Sequence, residues 1–448
     1  MPRLFARLAT GVVVAVIVAL AAIVLNPHVV GTILFTRPGT RACVPLEELG
    51  HGPAMPVRQM TAEEIEAFSR DGSVRLQGML DPVWVSRLQG LVRDCFAHPN
   101  IWDVLYSRLI ANFYCAQKAI LVHHTSVCGR QIAEAAPTTH IATELLRSAS
   151  LRVCEPSDAL GNFRRPVEGT WGGLVESGCG TTGFHTDDAY IPVRRRDADR
   201  PAVARLWMPL VPFSGRHFRF ATLNQSAAAR AARAAAGNDD LHGTSYARDE
   251  QLAASGILSE PGQVIEGDGL VPGDIFAFAG ETPHIATALD CDSNEAHGCL
   301  RLILSFAGDN ALFVGGRSTG LIPLHDNQTD GQPPRGVQFP EVFPDMPPDD
   351  WLPLRPSVAT LGASLWYAMR AGAGSFAGFS PAKQATYIMR VAWFAAPWTN
   401  FWDYPDVGDA TATDADGAGA AARPRRTQPL SLARHFGGAV LEWSGLRK

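Results

Sequence analysis

Leu300-Arg301-Leu302-Ile303-Leu304-Ser305-Phe306 reads as a β-strand, because its side chains alternate. Leu300, Leu302, Leu304 and Phe306 share one face; Arg301, Ile303 and Ser305 share the other. A guanidinium turned toward a sheet interior must be paired, and its planar fork fits a carboxylate, either a neighbouring acidic side chain or a bound carboxylic acid. Upstream, Ala204 to Val211, Val264 to Glu266 and Ile275 to Ala279 are further short apolar runs punctuated by glycine and proline. Their spacing between about Trp171 and Phe306 predicts a β-sandwich or barrel. The Ala-rich stretch Ser226 to Gly237 reads as an inserted surface helix with no chemical role.

Ahead of these strands the signal is helical. Thr61-Ala62-Glu63-Glu64 forms a capping box, Ile65 and Phe68 give one apolar face, and Gly72 ends the helix. A short strand, Ser73 to Gln77, follows. Asp81-Pro82 is an N-cap with proline at the first helical position, and Trp84, Leu88, Leu91, Val92 and Cys95 mark a second amphipathic helix.

The 448 residues are 46% hydrophobic and 19% charged, a mix that excludes a wholly disordered chain or a polytopic membrane protein. A net charge of -5 without a basic stripe argues against a nucleic-acid partner. The lysines are Lys118, Lys383 and Lys448, and none follows the glycines of a phosphate-cradling loop. Gly316-Arg317-Ser318-Thr319-Gly320 matches the string of a nucleophile elbow, but Leu321-Ile322-Pro323 follows where a helix should start. Gly178-Cys179-Gly180-Thr181-Thr182-Gly183 likewise leads into an extended segment and not the helix N-terminus a pyrophosphate needs. The cysteines at 43, 95, 115, 128, 154, 179, 291 and 299 are dispersed without a CxxC pair, which argues against a structural zinc site and leaves disulfide pairing open.

Between Arg7 and Arg37 there is no Asp, Glu, Lys or Arg, and Leu8 to Leu25 is almost unbroken Ala, Val, Ile and Leu. Residues 1–36 are expected to be a retained membrane signal anchor, with a cleavable secretory signal or a buried core helix as the alternatives. Arg3 and Arg7 face Arg37 and Arg41, so sidedness is weakly determined, with a lumenal or extracytoplasmic position of the following chain favoured. Residues 37–59 read as a stalk and 60–322 as the main domain. Residues 323–407 read as a Pro- and Trp-rich helical extension that covers the barrel or rests on a bilayer interface, and 408–448 as a flexible tail. Asn224-Gln225-Ser226 and Asn327-Gln328-Thr329 are sequons that matter only in a eukaryotic lumen.

The chemistry concentrates in His185-Thr186-Asp187 and in Val271-Pro272-Gly273-Asp274, a turn into an apolar strand that runs out at His284. In an extended segment residues two apart project to one side, so His185 and Asp187 can reach one ion. His284 would complete a two-His, one-carboxylate set, which leaves three positions of an octahedral Fe(II) open for a bidentate 2-oxo acid and for O2. His297 is an alternative third ligand, four residues before Arg301.

Phe184-His185-Thr186-Asp187, Leu206-Trp207-Met208-Pro209-Leu210, Gly273-Asp274 leading to His284, and then Arg301 resemble the pattern of the phytanoyl-CoA dioxygenase family of Fe(II)/2-oxoglutarate oxygenases. The opening Thr61 to Gly72 fits the same pattern, which covers roughly residues 60–309. The resemblance implies a mainly β fold with flanking helices: a double-stranded β-helix, or jelly-roll, core. It implies Fe(II) on His185, Asp187 and His284, 2-oxoglutarate gripped by Arg301, and Trp207 near the cosubstrate, where it could equally be a packing residue. The activity it implies is hydroxylation of an aliphatic C–H with release of succinate and CO2. Two departures bear on cosubstrate binding: Cys291 to Gly298 is inserted before Arg301, and Ala286 stands where a small hydroxyl residue is common. The substrate is not legible; a tethered enzyme favours a lipid or other hydrophobic molecule. The rival readings are a non-catalytic membrane-tethered jelly-roll binding domain and a zinc hydrolase using the same ligands.

Overall fold

The computed structural model describes residues 37, 39–100, 103, 116–154, 157–162, 187, 191–197, 199–213, 218–221, 264–266, 269–282, 284–286, 299–314, 328–336 and 339–344. The expected anchor, the inserted 226–237 helix, the 291–298 insertion, both sequon asparagines, the Trp-rich segment from Trp351 and the tail lie outside these residues. Among the described residues no helix is long and apolar enough to cross a membrane.

The protein is rich in sheet with flanking helices. Helix α1 (Ala62–Asp71) opens with the full capping box between Thr61 and Glu64 and closes at Gly72, whose φ of 75° is the left-handed cap that glycine adopts without strain. Strand β1 (Ser73–Leu76) follows, then α2 (Pro82–Ala97), capped by Asp81 through a bond from Trp84 N–H. After β2 (Ala116–Ala119) come three short helices: α3 (Val122–Thr125), α4 (Val127–Ala135) and α5 (Pro137–Leu146). Apart from a 3-10 turn at Leu46–Glu48, the remaining described elements are strands β3 (Leu151–Val153), β4 (Asp158–Asn162), β5 (Val193–Arg195), β6 (Val203–Pro209), β7 (Phe218–Ala221), β8 (Val264–Glu266), β9 (Ile275–Ala279), β10 (His284–Ala286), β11 (Cys299–Gly308), β12 (Ala311–Phe313) and β13 (Glu341–Phe343).

The strand expected at 300–306 is β11, the centre of an eight-stranded antiparallel sheet ordered β1-β9-β6-β11-β3-β13. Its first half also pairs with β4, which pairs onward with β2. Leu300, Leu302, Leu304 and Phe306 are fully buried in one core with Phe68 of α1, Leu88 and Leu91 of α2 and Leu145 of α5. Strands β10, β7 and β8 form a second, three-stranded sheet. The chain passes from the large sheet to the small one between Ala279 and His284, and the turn before β9 depends on Gly273. There φ is +104° and a Cβ would stand 2.9 Å from the Leu80 carbonyl oxygen.

Residues 37–59 are stitched into the domain despite their stalk-like composition. Arg37 is buried and ion-paired with Asp103, Cys43 is disulfide-bonded to Cys128, and Val44 joins the main core. Similarly, β13 falls within the range expected to be a helical extension, yet it pairs with β3 at the edge of the large sheet.

Candidate active site

The register of the large sheet sets three rows of side chains on one face. Arg301 of β11 stands beside Leu160 of β4, which stands beside Lys118 of β2. Ile303 lies between Asp158 of β4 and Trp207 of β6, and Trp207 is next to Phe276 of β9. Ser305 neighbours Arg205 of β6, itself beside Phe278 of β9. The face therefore sets charged side chains around Ile303 and Trp207, and three of those charges are buried: Arg205, Asp158 and Arg301 are 2%, 2% and 7% exposed. Ions so placed must be compensated by one another or by a bound charge.

His284 reaches this face by a chain of backbone contacts that starts at α1. The Gly72 carbonyl accepts from Ala279 N–H at 2.8 Å and from the Thr282 hydroxyl at 2.6 Å, which fixes the turn after β9. The Thr282 carbonyl then lies 3.0 Å from His284 Nδ1. A carbonyl only accepts, so Nδ1 carries the proton and Nε2 points the other way. Asp187 docks on the same turn, its N–H donating to Gly280 O at 2.9 Å.

Asp187 Oδ2 and His284 Nε2 are 3.4 Å apart, both side chains less than a tenth exposed. A proton on Nε2 or a cation held between them satisfies that contact. The donor set fits a divalent ion: with bonds of about 2.1 Å, adjacent donors of an octahedron stand about 3 Å apart. The Nδ1–H to carbonyl bond is the outer contact that orients a ligating histidine. The Phe278 ring, 4.8 Å from the imidazole centroid, closes one side.

Of the residues anticipated from sequence, Asp187 and His284 are thus brought together. Arg301 faces the same sheet interior one strand from Asp158; burial pushes its guanidinium down to about 9, with the Asp158 charge opposing. Trp207 is buried in the row between Ile303 and Phe276, 5.7 Å from the Phe213 ring. His185 lies outside the described residues, as does His297. Among the described residues no group of three or more His, Cys, Asp and Glu converges on one point. His123 is a core residue, tilted against Phe306 at 5.7 Å.

Three residues of the site carried no sequence signal that was read as functional. Arg205 donates from Nη1 to Asp187 Oδ2 and brings Nη2 to 3.8 Å from Asp158 Oδ2. Lys118 Nζ holds the same Asp158 oxygen at 2.9 Å. A buried relay of alternating charge therefore runs from Lys118 through Asp158 and Arg205 to Asp187. The clue in the sequence was Arg205 itself, two residues from Trp207 and so on the same strand face.

No family model matches the chain, and no curated protein matches it. Solved structures do. The non-heme alpha ketoglutarate dependent epimerase SnoN from nogalamycin biosynthesis matches at a TM-score of 0.43 and 17% identity, over 62% of this chain and 97% of that one. The carbocyclase SnoK from the same biosynthesis matches at 0.43 and 16%, over 65% and 99%. EctD from S. alaskensis, with 2-oxoglutarate and 5-hydroxyectoine, matches at 0.37 and 14%, over 67% and 92%.

Proposed function

We propose that this protein is an Fe(II)- and 2-oxoglutarate-dependent oxygenase on a jelly-roll core, hydroxylating an aliphatic C–H of a small or lipid-like molecule. The observation that carries the reading is the approach of Asp187 Oδ2 and His284 Nε2 to 3.4 Å, on a buried face that also holds Arg301. His185, two residues before Asp187, would be the third ligand. When bound, the iron supplies activation of O2, coupled to oxidative decarboxylation of 2-oxoglutarate to succinate and CO2.

The chain's own residues supply the rest. His284 offers Nε2 because Thr282 holds the Nδ1 proton. Arg301 would take the distal carboxylate of 2-oxoglutarate, a partner that suits a planar guanidinium in a dry site. Trp207, Phe276 and Phe278 line the same face and exclude water from the reacting centre. We further place the domain on the extracytoplasmic side of a membrane, behind an anchor within residues 1–36. The Cys43–Cys128 disulfide and a disulfide-bonded Cys299 support an oxidising compartment.

Anaerobic loading with Fe(II), followed by a succinate-release assay under O2, tests the reading. His185→Ala, Asp187→Ala and His284→Ala should each abolish 2-oxoglutarate turnover. If all three variants turn it over at the wild-type rate, the assignment is wrong.

A further inference from the structure

Two contacts of Arg205 lead to the Asp187–His284 pair, and another faces Asp158. Nη1 donates to Asp187 Oδ2. Nη2 faces Asp158, whose Oδ2 is held by Lys118 on its other side. The guanidinium carbon stands 5.6 Å from the centroid of the Phe278 ring, and that ring lies 4.8 Å from the imidazole of His284. Arg205 thus braces Asp187 directly and His284 through an aromatic ring.

We propose that Arg205 is the positioning residue of the metal centre, aiming the Asp187 carboxylate at the point where His284 Nε2 also points. The inference rests on the reading of Asp187 and His284 as metal ligands. A carboxylate has about four lone-pair sites, so one donor such as Arg205 Nη1 does not exhaust its capacity. The side chain is held at two levels, by its own N–H on Gly280 and by the guanidinium on Oδ2, which opposes rotation of the carboxyl group. The far nitrogen of the guanidinium stands in turn at ion-pair distance, 3.8 Å, from the Asp158 carboxylate that Lys118 holds. Lysine at this position would keep the charge but lose the planar fork, and could not span Asp187 and Asp158 in the same way.

The test is Co(II) titration of the full chain, read by calorimetry and by the visible d–d spectrum, with near-UV circular dichroism as the folding control. The wild type should bind Co(II) at one site. Arg205→Gln should bind it about 10- to 100-fold more weakly, the usual loss when an outer contact to a ligand is removed. Arg205→Lys should fall between the two, and both variants should show a shifted d–d band. An Arg205→Gln protein with native dichroism and unchanged or tighter Co(II) binding overturns the proposal. Should that variant fail to fold, Asp158→Asn frees the far end of the guanidinium; weaker Co(II) binding upholds the proposal and unchanged binding overturns it. A wild-type chain that takes up no Co(II) refutes the metal-centre reading itself, a result distinct from indifference to Arg205.

Discussion

Replacing Cys43 and Cys128 together by alanine removes a cross-link between residues 85 apart in sequence. Loop-closure entropy for a ring of that size is about 15 cal/mol/K, so the loss should destabilise the protein by about 4.5 kcal/mol at 25 °C. The effect falls on the unfolded chain, since the folded protein holds the same ends together by other means. Cys43 N–H and Val44 N–H both donate to Gln131 Oε1, at 2.7 and 3.0 Å, and Gln131 Nε2 donates back to Val44 O at 3.2 Å. Arg37 donates to Thr125 Oγ1 at 2.7 Å and to Ile120 O at 2.9 Å. The double variant should therefore keep its fold and its near-UV signature. Urea unfolding followed by tryptophan fluorescence reads the change. With a slope of about 3 kcal/mol/M the midpoint should drop by about 1.5 M. Reducing the wild type should lower it at least as far, because Cys299 is also disulfide-bonded. A shift below about 0.3 M, or no response to reduction once the thiols are shown to be free, would falsify the entropic account.

His123 is fully buried, and burial, with the nearby His124 charge, pushes its imidazole from 6.5 down to about 3. The unfolded chain then binds the proton more readily than the folded one between those values, so stability is intact above pH 6.5 and falls as pH drops, by up to about 1.4 kcal/mol per unit. His123→Leu should lose this dependence. The stability difference between wild type and variant should move by about 2 kcal/mol between pH 7 and pH 5, and an identical difference at both pH values rules the mechanism out. Arg301→Met should raise the KM for 2-oxoglutarate at least tenfold while Co(II) uptake stays near wild type, because the guanidinium would hold the cosubstrate and not the metal. An unchanged KM would remove Arg301 from that role.

Local signals were legible in the sequence. The capping box at Thr61, the Asp81-Pro82 start and the alternation across Leu300 to Phe306 each depend on a few neighbouring residues, and each appears in the structure as read. Asp187, His284 and Arg301 could be nominated by residue type and motif, because metal and carboxylate chemistry restricts which side chains can serve. Composition misled wherever long-range contacts decide. The proline and glycine of residues 37–59 describe a backbone without regular structure, and say nothing of a disulfide to Cys128 or of Val44 entering the core. Eight dispersed cysteines likewise left the pairing open.

The sequence by itself determined strands β1, β6, β8, β9 and β11, which face of β11 is apolar, and which residue types are available for chemistry, since these follow from periodicities of two to four residues. Tertiary structure alone decided their partners. Only the sheet register sets Asp158 beside Ile303 and within reach of both Lys118 and Arg205. Only the Gly72 carbonyl, two hundred residues upstream, fixes the turn that orients His284. Ion pairs and carbonyl contacts are made through space, and chain position carries no record of them until the strands have found their register.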